Sequence, residues 1–134
     1  MFDSLDTSAS ALTAQRVRMD TIAGNVANMN ATHNEKGEIS PYRRRFVVFG
    51  TGAPGNSNHA GVHVQKVELD YSPFRRVYEP GNRDAGPDGY VSYPNVDLAI
   101  EQVNMIEASR AYEANVTMME TTKAMINATL RLIA

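Results

Sequence analysis

The stretch VDLAIEQVNMIEASRAYEANVTMMETTKAMINATLRLI, residues 96–133, decides the fold. Leu98, Met105, Tyr112, Met119, Ile126 and Ile133 recur in it every seven residues, and Gln102, Ser109, Val116, Lys123 and Leu130 fill an interleaved row. Such a repeat is the spacing of an α-helix that lays one stripe along another helix. Pro94 disfavours continuation backwards, Asn95 is a good cap and Asp97 suits the first turn. The helical segment 95–134 is therefore predicted to hold a helix over 96–133. At about 1.5 Å per residue it would run roughly 57 Å, longer than a small domain is wide.

Working back, residues 2–31 predict a second helix. Leu5, Leu12, Met19 and Val26 fill one heptad row, and Phe2, Ala9 and Ala23 another that Arg16 interrupts. Asp3 is expected to cap it, and the polar run Asn28, Asn30, Thr32, His33, Asn34 to end it. Between the helices the composition changes: all six prolines and eight of the nine glycines lie from Gly37 to Pro94. Both residues disfavour helix interiors, so 32–94 reads as a β-rich insert. Short strands are expected at 45–49, 62–69 and 90–93, joined by turn-rich loops at 50–61 and 79–89. The fold class is α+β: long terminal helices in a coiled-coil-like bundle around a small Gly/Pro-rich insert, forming one unit over 1–134.

Unequal helices have a consequence. If the two pair within one chain, the shorter N-terminal helix leaves part of the C-terminal stripe in water. Burying each large apolar side chain is worth roughly 1.5–3 kcal/mol, so the exposed turns drive association. We expect helices that order fully only beside other chains. The candidate assembly interface is Leu5, Leu12, Met19, Val26, Leu98, Met105, Tyr112, Val116, Met119, Ile126, Leu130 and Ile133, with Arg16 and Arg110 as polar register-setters.

Several chemistries are excluded. A net charge of −2, with both signs scattered, gives no field for nucleic acid. The absence of cysteine removes disulfides, thiolate metal sites and thiol nucleophiles together. No apolar run reaches the roughly 20 residues of a membrane span, so direct membrane insertion is not expected. Residues 1–12 carry Asp3 and Asp6 and lack the basic start and apolar core of a secretory signal. Gly50, Gly52 and Gly55 spell a dinucleotide fingerprint, but Pro54 and the following residues cannot open the helix whose N-terminus would meet a pyrophosphate. His59 and His63 are four apart, with Gly61 between them and no third ligand nearby, so they read as surface histidines. No set of nucleophile, base and orienter can be assembled, so neither catalysis nor a cofactor or metal is expected. Two matched frames, SPYRR at 40–44 and SPFRR at 72–76, put arginines after an aromatic residue. They read as exposed strand edges, or else as sites for acidic groups on a partner.

Residues 10–32, SALTAQRVRMDTIAGNVANMNAT, resemble the helix signature of flagellar rod and hook proteins, and 104–117, NMIEASRAYEANVT, resemble the closing helix of that family. The words SPFRRVYEPG at 72–81 and DGYVSYPNV at 88–96 narrow the resemblance to proximal-rod members. One departure is Gly24-Asn25, where the family often has paired asparagines. The resemblance implies a structural subunit of the basal body that transmits torque and helps form the axial export channel. Its partners would be copies of itself, neighbouring rod proteins and basal-body adaptor proteins. It also implies type III export without a cleaved signal, to a rod crossing the periplasm. Two rivals remain at this point: another axial component, and a soluble helical adaptor or chaperone with a β-insert.

Overall fold

The computed structural model describes residues 2–56 and 59–134. Helix α1 spans Phe2–Ala27 and helix α2 spans Leu98–Ile133. Between them, among the described residues, lie four strands, β1 at Arg45–Thr51, β2 at Val62–Leu69, β3 at Arg75–Tyr78 and β4 at Tyr90–Tyr93. They form two separate antiparallel ribbons, β1 with β2 and β3 with β4.

The predicted α+β plan holds, with shifts at the boundaries. Helix α1 stops at Ala27, short of residue 31: the Asn28 amide makes the last bond of the helical pattern, to the Gly24 carbonyl at 3.1 Å, and the Met29 amide turns to the Val26 carbonyl at 3.3 Å. Asp3 lies within the first turn, where its charge favours the positive helix end, and does not cap it. Helix α2 is capped by Asp97, whose carboxylate accepts from the Ala99 and Ile100 amides at 2.9 and 3.4 Å. Asn95, the expected cap, has its side chain engaged elsewhere.

Strands β2 and β4 match the reading, β1 is longer by Gly50 and Thr51, and β3 was not foreseen. RRVY hides its strand because only Val77 presents an aliphatic side chain inward; Arg75 and Arg76 instead lie over Tyr93 and Tyr90 of β4, at 5.2 and 5.1 Å. The glycines 50, 52 and 55 fall at the end of β1 and in the turn after it, and no helix opens there. Gly52 and Gly55 have φ of 83° and 81°, the left-handed conformation that glycine adopts without strain.

Helix α1 is covered on two sides. One side meets α2 along an antiparallel path fixed by Asn25 to Glu101, Met19 to Ser109 and Arg18 to Glu107. The other meets the β1–β2 ribbon, where Ser10 Oγ accepts from the Val62 amide at 3.1 Å and Ala14 is buried. Among the described residues, the buried aliphatic side chains are few: Ala14, Ile22, Val91, Val96 and Ala108. A core this small leaves much of both helices uncovered.

Candidate functional site

The helix pair is the candidate site, and its geometry follows from two rows on each helix. Leu5, Leu12, Met19 and Val26 are half-buried, as are Met105, Tyr112, Val116, Met119 and Ile126. Those of them with a defined neighbour meet across the helix pair: Met19 lies against Ser109, and Leu5, Leu12, Val116 and Met119 share one cleft. Leu5 and Leu12 line a small apolar cleft with Val116, Met119 and the stem of Lys123.

The second row on each helix differs from expectation. Phe2, Ala9, Arg16 and Ala23 are exposed, and the position they were to fill is taken by Ser8, Gln15 and Ile22. On α2 the most buried row is Glu101, Ala108, Asn115 and Thr122; of the expected row, Ser109 and Val116 are half-buried against α1, while Gln102, Lys123 and Leu130 are exposed. On α2 the physical reason is size: Ala108, 0 % exposed, lets the two backbones approach where a larger side chain would hold them apart. Gln15 Oε1 is buried here without a hydrogen-bond partner among the described residues.

Leu98, Leu130 and Ile133 lie outside the paired region, 39, 58 and 77 % exposed. Arg16 and Arg110 are exposed as well, so they set no register within the chain. That register belongs to a polar junction the sequence did not announce. Asn25 and Glu101 are both 0 % exposed at the end of the helix pair nearest the insert. Asn25 donates to the Arg45 carbonyl at 2.8 Å and to Glu101 Oε2 at 3.4 Å, and accepts from the Arg45 amide and the Tyr42 hydroxyl, each at 3.0 Å. Glu101 Oε1 receives Arg44 Nε, and the same guanidinium reaches Asp70 Oδ2 at 3.4 Å.

Asn95 completes the junction. It accepts from the Arg44 amide at 2.8 Å and donates to the Asp70 and Ser72 carbonyls at 3.0 and 3.2 Å. Arg43 donates to the same two carbonyls and lies over the rings of Phe74 and Tyr71, at 4.2 and 5.2 Å. Hydrogen bonds from the Ser72 hydroxyl and amide hold the Asp70 carboxyl below its ordinary range, with Arg44 adding to the effect. Burial raises the Tyr42 phenol, Arg45 opposing and Glu101 adding.

The first arginine frame is engaged within the molecule, whereas Arg75 and Arg76 of the second stand exposed on the edge strand β3, as expected. Arg44 is the internal counter-ion of Glu101, Arg43 and Arg45 stack on aromatic rings, and Arg76 pairs with Asp88. Neither the strand-edge nor the partner-binding reading describes Arg44. His63 Nδ1 sits 2.8 Å from the Gly52 carbonyl, and His33 pairs with Asp84. The junction's polar groups satisfy one another, so what the arrangement does chemically is to lock helix pair and insert into one body.

The comparisons agree at both ends of the chain. The family model described as flagella basal body rod protein matches residues 5–34, and that described as flagellar basal body rod FlgEFG protein C-terminal matches residues 88–132. The flagellar basal-body rod protein FlgC of Bacillus subtilis is 45 % identical over 93 % of both chains. The chain belongs to the FlgC family of flagellar basal-body rod proteins. The FlgC proteins of Yersinia enterocolitica and Borreliella burgdorferi are 41 and 37 % identical, over 98 and 99 % of this chain and 97 % of each relative. The two matched segments contain most of α1 and nearly all of α2, with the junction residues Asn25, Asn95 and Glu101 inside them. Among the described residues, no helix is long and apolar enough to cross a membrane.

Proposed function

We propose that this chain is a non-catalytic structural subunit of the proximal flagellar rod, a single axial unit over 1–134 that assembles through its terminal helices. The observation that carries the reading is the apolar surface left on α2 after it has packed on α1. Ile100, Val103, Ile106, Met118, Met125, Leu130, Leu132 and Ile133 all stand more than half exposed. A soluble adaptor binding one partner would need one such patch, whereas a subunit surrounded by others buries apolar residues spread from Ile100 to Ile133.

In this reading the exposed residues, with Arg16 and Arg110 at the borders, meet the helices of neighbouring rod proteins and further copies of the chain. Torque then passes through packed side chains, and helices ranged around an axis bound the export channel. Basal-body adaptor proteins would meet the end of the rod. Type III export without a cleaved signal suits a chain free of disulfides, delivered to a rod that crosses the periplasm.

The test is complementation. In a flagellated host lacking its own member of the family, the wild-type chain should restore swimming and rods on isolated basal bodies. A Met118→Asp, Met125→Asp variant should keep its monomer circular dichroism and yield no rods. Rods of normal length from the double variant would overturn the proposed interface.

A further inference from the structure

Asp88-Gly89 is the one place in the sequence where an aspartate or asparagine precedes glycine. In such a pair no side chain shields the glycine nitrogen as it approaches the neighbouring carboxyl carbon. The fold requires this glycine. Gly89 has φ of 80°, and a Cβ there would lie 2.8 Å from the Tyr78 ring. The turn that carries the pair is closed by the Gly86 amide on the Tyr90 carbonyl at 3.1 Å.

The aspartate is held from several sides. The Gly89 amide donates to the Gly86 carbonyl at 2.9 Å, Asp88 Oδ1 accepts from the Tyr90 amide at 3.3 Å, and Arg76 donates to Oδ2. Arg76 is itself fixed, its guanidinium lying 5.1 Å from the centre of the Tyr90 ring. The Tyr90 amide first, and then Arg76, keep the Asp88 carboxyl below its ordinary range, so it is ionised at neutral pH. An ionised carboxylate resists attack by an amide, because it offers no neutral leaving group. The side chain is exposed, so solvent reaches it.

We infer that Asp88 is a site of spontaneous isomerisation to isoaspartate, and that Arg76 is the residue that restrains it. In the reaction the Gly89 nitrogen bonds to Asp88 Cγ and gives up its proton, while the protonated carboxyl gives up its hydroxyl. One water leaves, and a five-membered succinimide closes. Water then adds to either ring carbonyl and breaks its bond to nitrogen. Opening at Cγ restores aspartate; opening at the main-chain carbonyl leaves Gly89 joined through Cγ, with one extra carbon in the main chain. No oxidant, reductant or enzyme takes part. The extra carbon falls just before the bond from the Glu79 amide to the Gly89 carbonyl, 2.9 Å, and the Tyr78–Tyr90 pair, which close the β3–β4 ribbon. Isomerisation therefore loosens that ribbon.

The full-length chain, warmed for weeks in neutral buffer, supplies the test. Isoaspartate is located by peptide mass spectrometry and counted by methyl transfer from an isoaspartyl methyltransferase; the succinimide shows as the loss of one water. Isoaspartate should appear at Asp88 ahead of every other aspartate, and Asp88→Glu should abolish it there, because the larger ring closes far more slowly. Arg76→Ala should speed it about threefold, in keeping with the modest strength of an exposed ion pair, and Arg76→Lys should return most of the restraint. Hydrogen exchange over β3 and β4 in the fresh variants shows whether the ribbon is intact. Should Arg76→Ala unfold it, salt serves instead: screening the exposed pair should speed the wild-type chain about twofold. Isoaspartate arising at Asn56 alone, or none at Asp88 in any folded chain, overturns the site. An intact Arg76→Ala ribbon that ages at the wild-type rate, or, where that variant unfolds, a wild-type rate indifferent to salt, overturns the role of Arg76.

Discussion

Residue by residue, the junction at Asn25, Arg44 and Glu101 is the costliest part of the molecule to disturb. Removing one member of a buried ion pair strands the other, typically at about 3–5 kcal/mol. The damage should be unequal. Arg44→Leu leaves Glu101, fully buried, with only the Asn25 amide, whereas Glu101→Leu leaves Arg44 partly exposed and still near Asp70. Urea denaturation should therefore find Arg44→Leu the more destabilising, with the double variant costing less than the sum. The reverse order would show that the pair does not hold the register.

Acid stability offers a second residue-level test. Asp70 has a folded-state pKa below the unfolded value of about 3.9, first through Ser72 and then through Arg44. A depressed carboxyl stabilises the fold above the unfolded value and loses that contribution as pH falls through the folded one. Asp70→Asn should therefore flatten the loss of stability below about pH 4, in urea titrations from pH 5 to 2. An unchanged acid limb would remove Asp70 from the account. None of this could be read from the sequence, because an arginine after an aromatic residue looks like a solvated edge until Glu101 is folded against it.

Among the elements, the helices were legible as elements and half legible as surfaces. The rows of Leu5, Leu12, Met19 and Val26 and of Met105, Tyr112, Met119 and Ile126 announced which stripes pair, because their apolar side chains are large and evenly spaced. Their partner rows escaped, since Ser8, Gln15, Ala108, Asn115 and Thr122 carry little hydrophobic signal and matter by being small or by where the backbones approach. Strand β3 escaped for a related reason: its arginines lie over the rings of β4, Arg75 on Tyr93 directly opposite and Arg76 on Tyr90 diagonally, which no spacing within RRVY announces. The departure at Gly24 can be tested at this scale. The helix is unbroken through Gly24, and a Cβ there would meet nothing within 4 Å. Gly24→Ala should stabilise the chain by about 0.5–1 kcal/mol, raising the urea midpoint with no change in slope. A loss of stability would mean that the glycine serves a bend formed only in assembly.

Across the whole molecule, contacts thin out from the junction to the far end of the helix pair, and local stability should follow. At one end lie the buried Asn25, Glu101, Val96 and Pro94; at the other, Phe2, Leu130, Leu132 and Ile133 stand largely in water. Regions with few buried contacts open at low free-energy cost, so amide exchange grades them. In the purified chain, amides of residues 12–27 and 101–116 should exchange slowly, together with β1 and β2, and those of 2–8 and 124–133 within seconds to minutes. This refines the expectation that both helices order only on assembly, since their insert-proximal halves are anchored by the polar junction. The distal halves should gain protection only in isolated basal bodies. Slow exchange to Ile133 in the monomer would mean that the helix pair completes itself without neighbours, and the apolar overhang would then need another explanation. Fast exchange through 101–116 would mean the opposite, that even the junction waits for assembly, and Arg44→Leu should then leave monomer stability unchanged while abolishing rods.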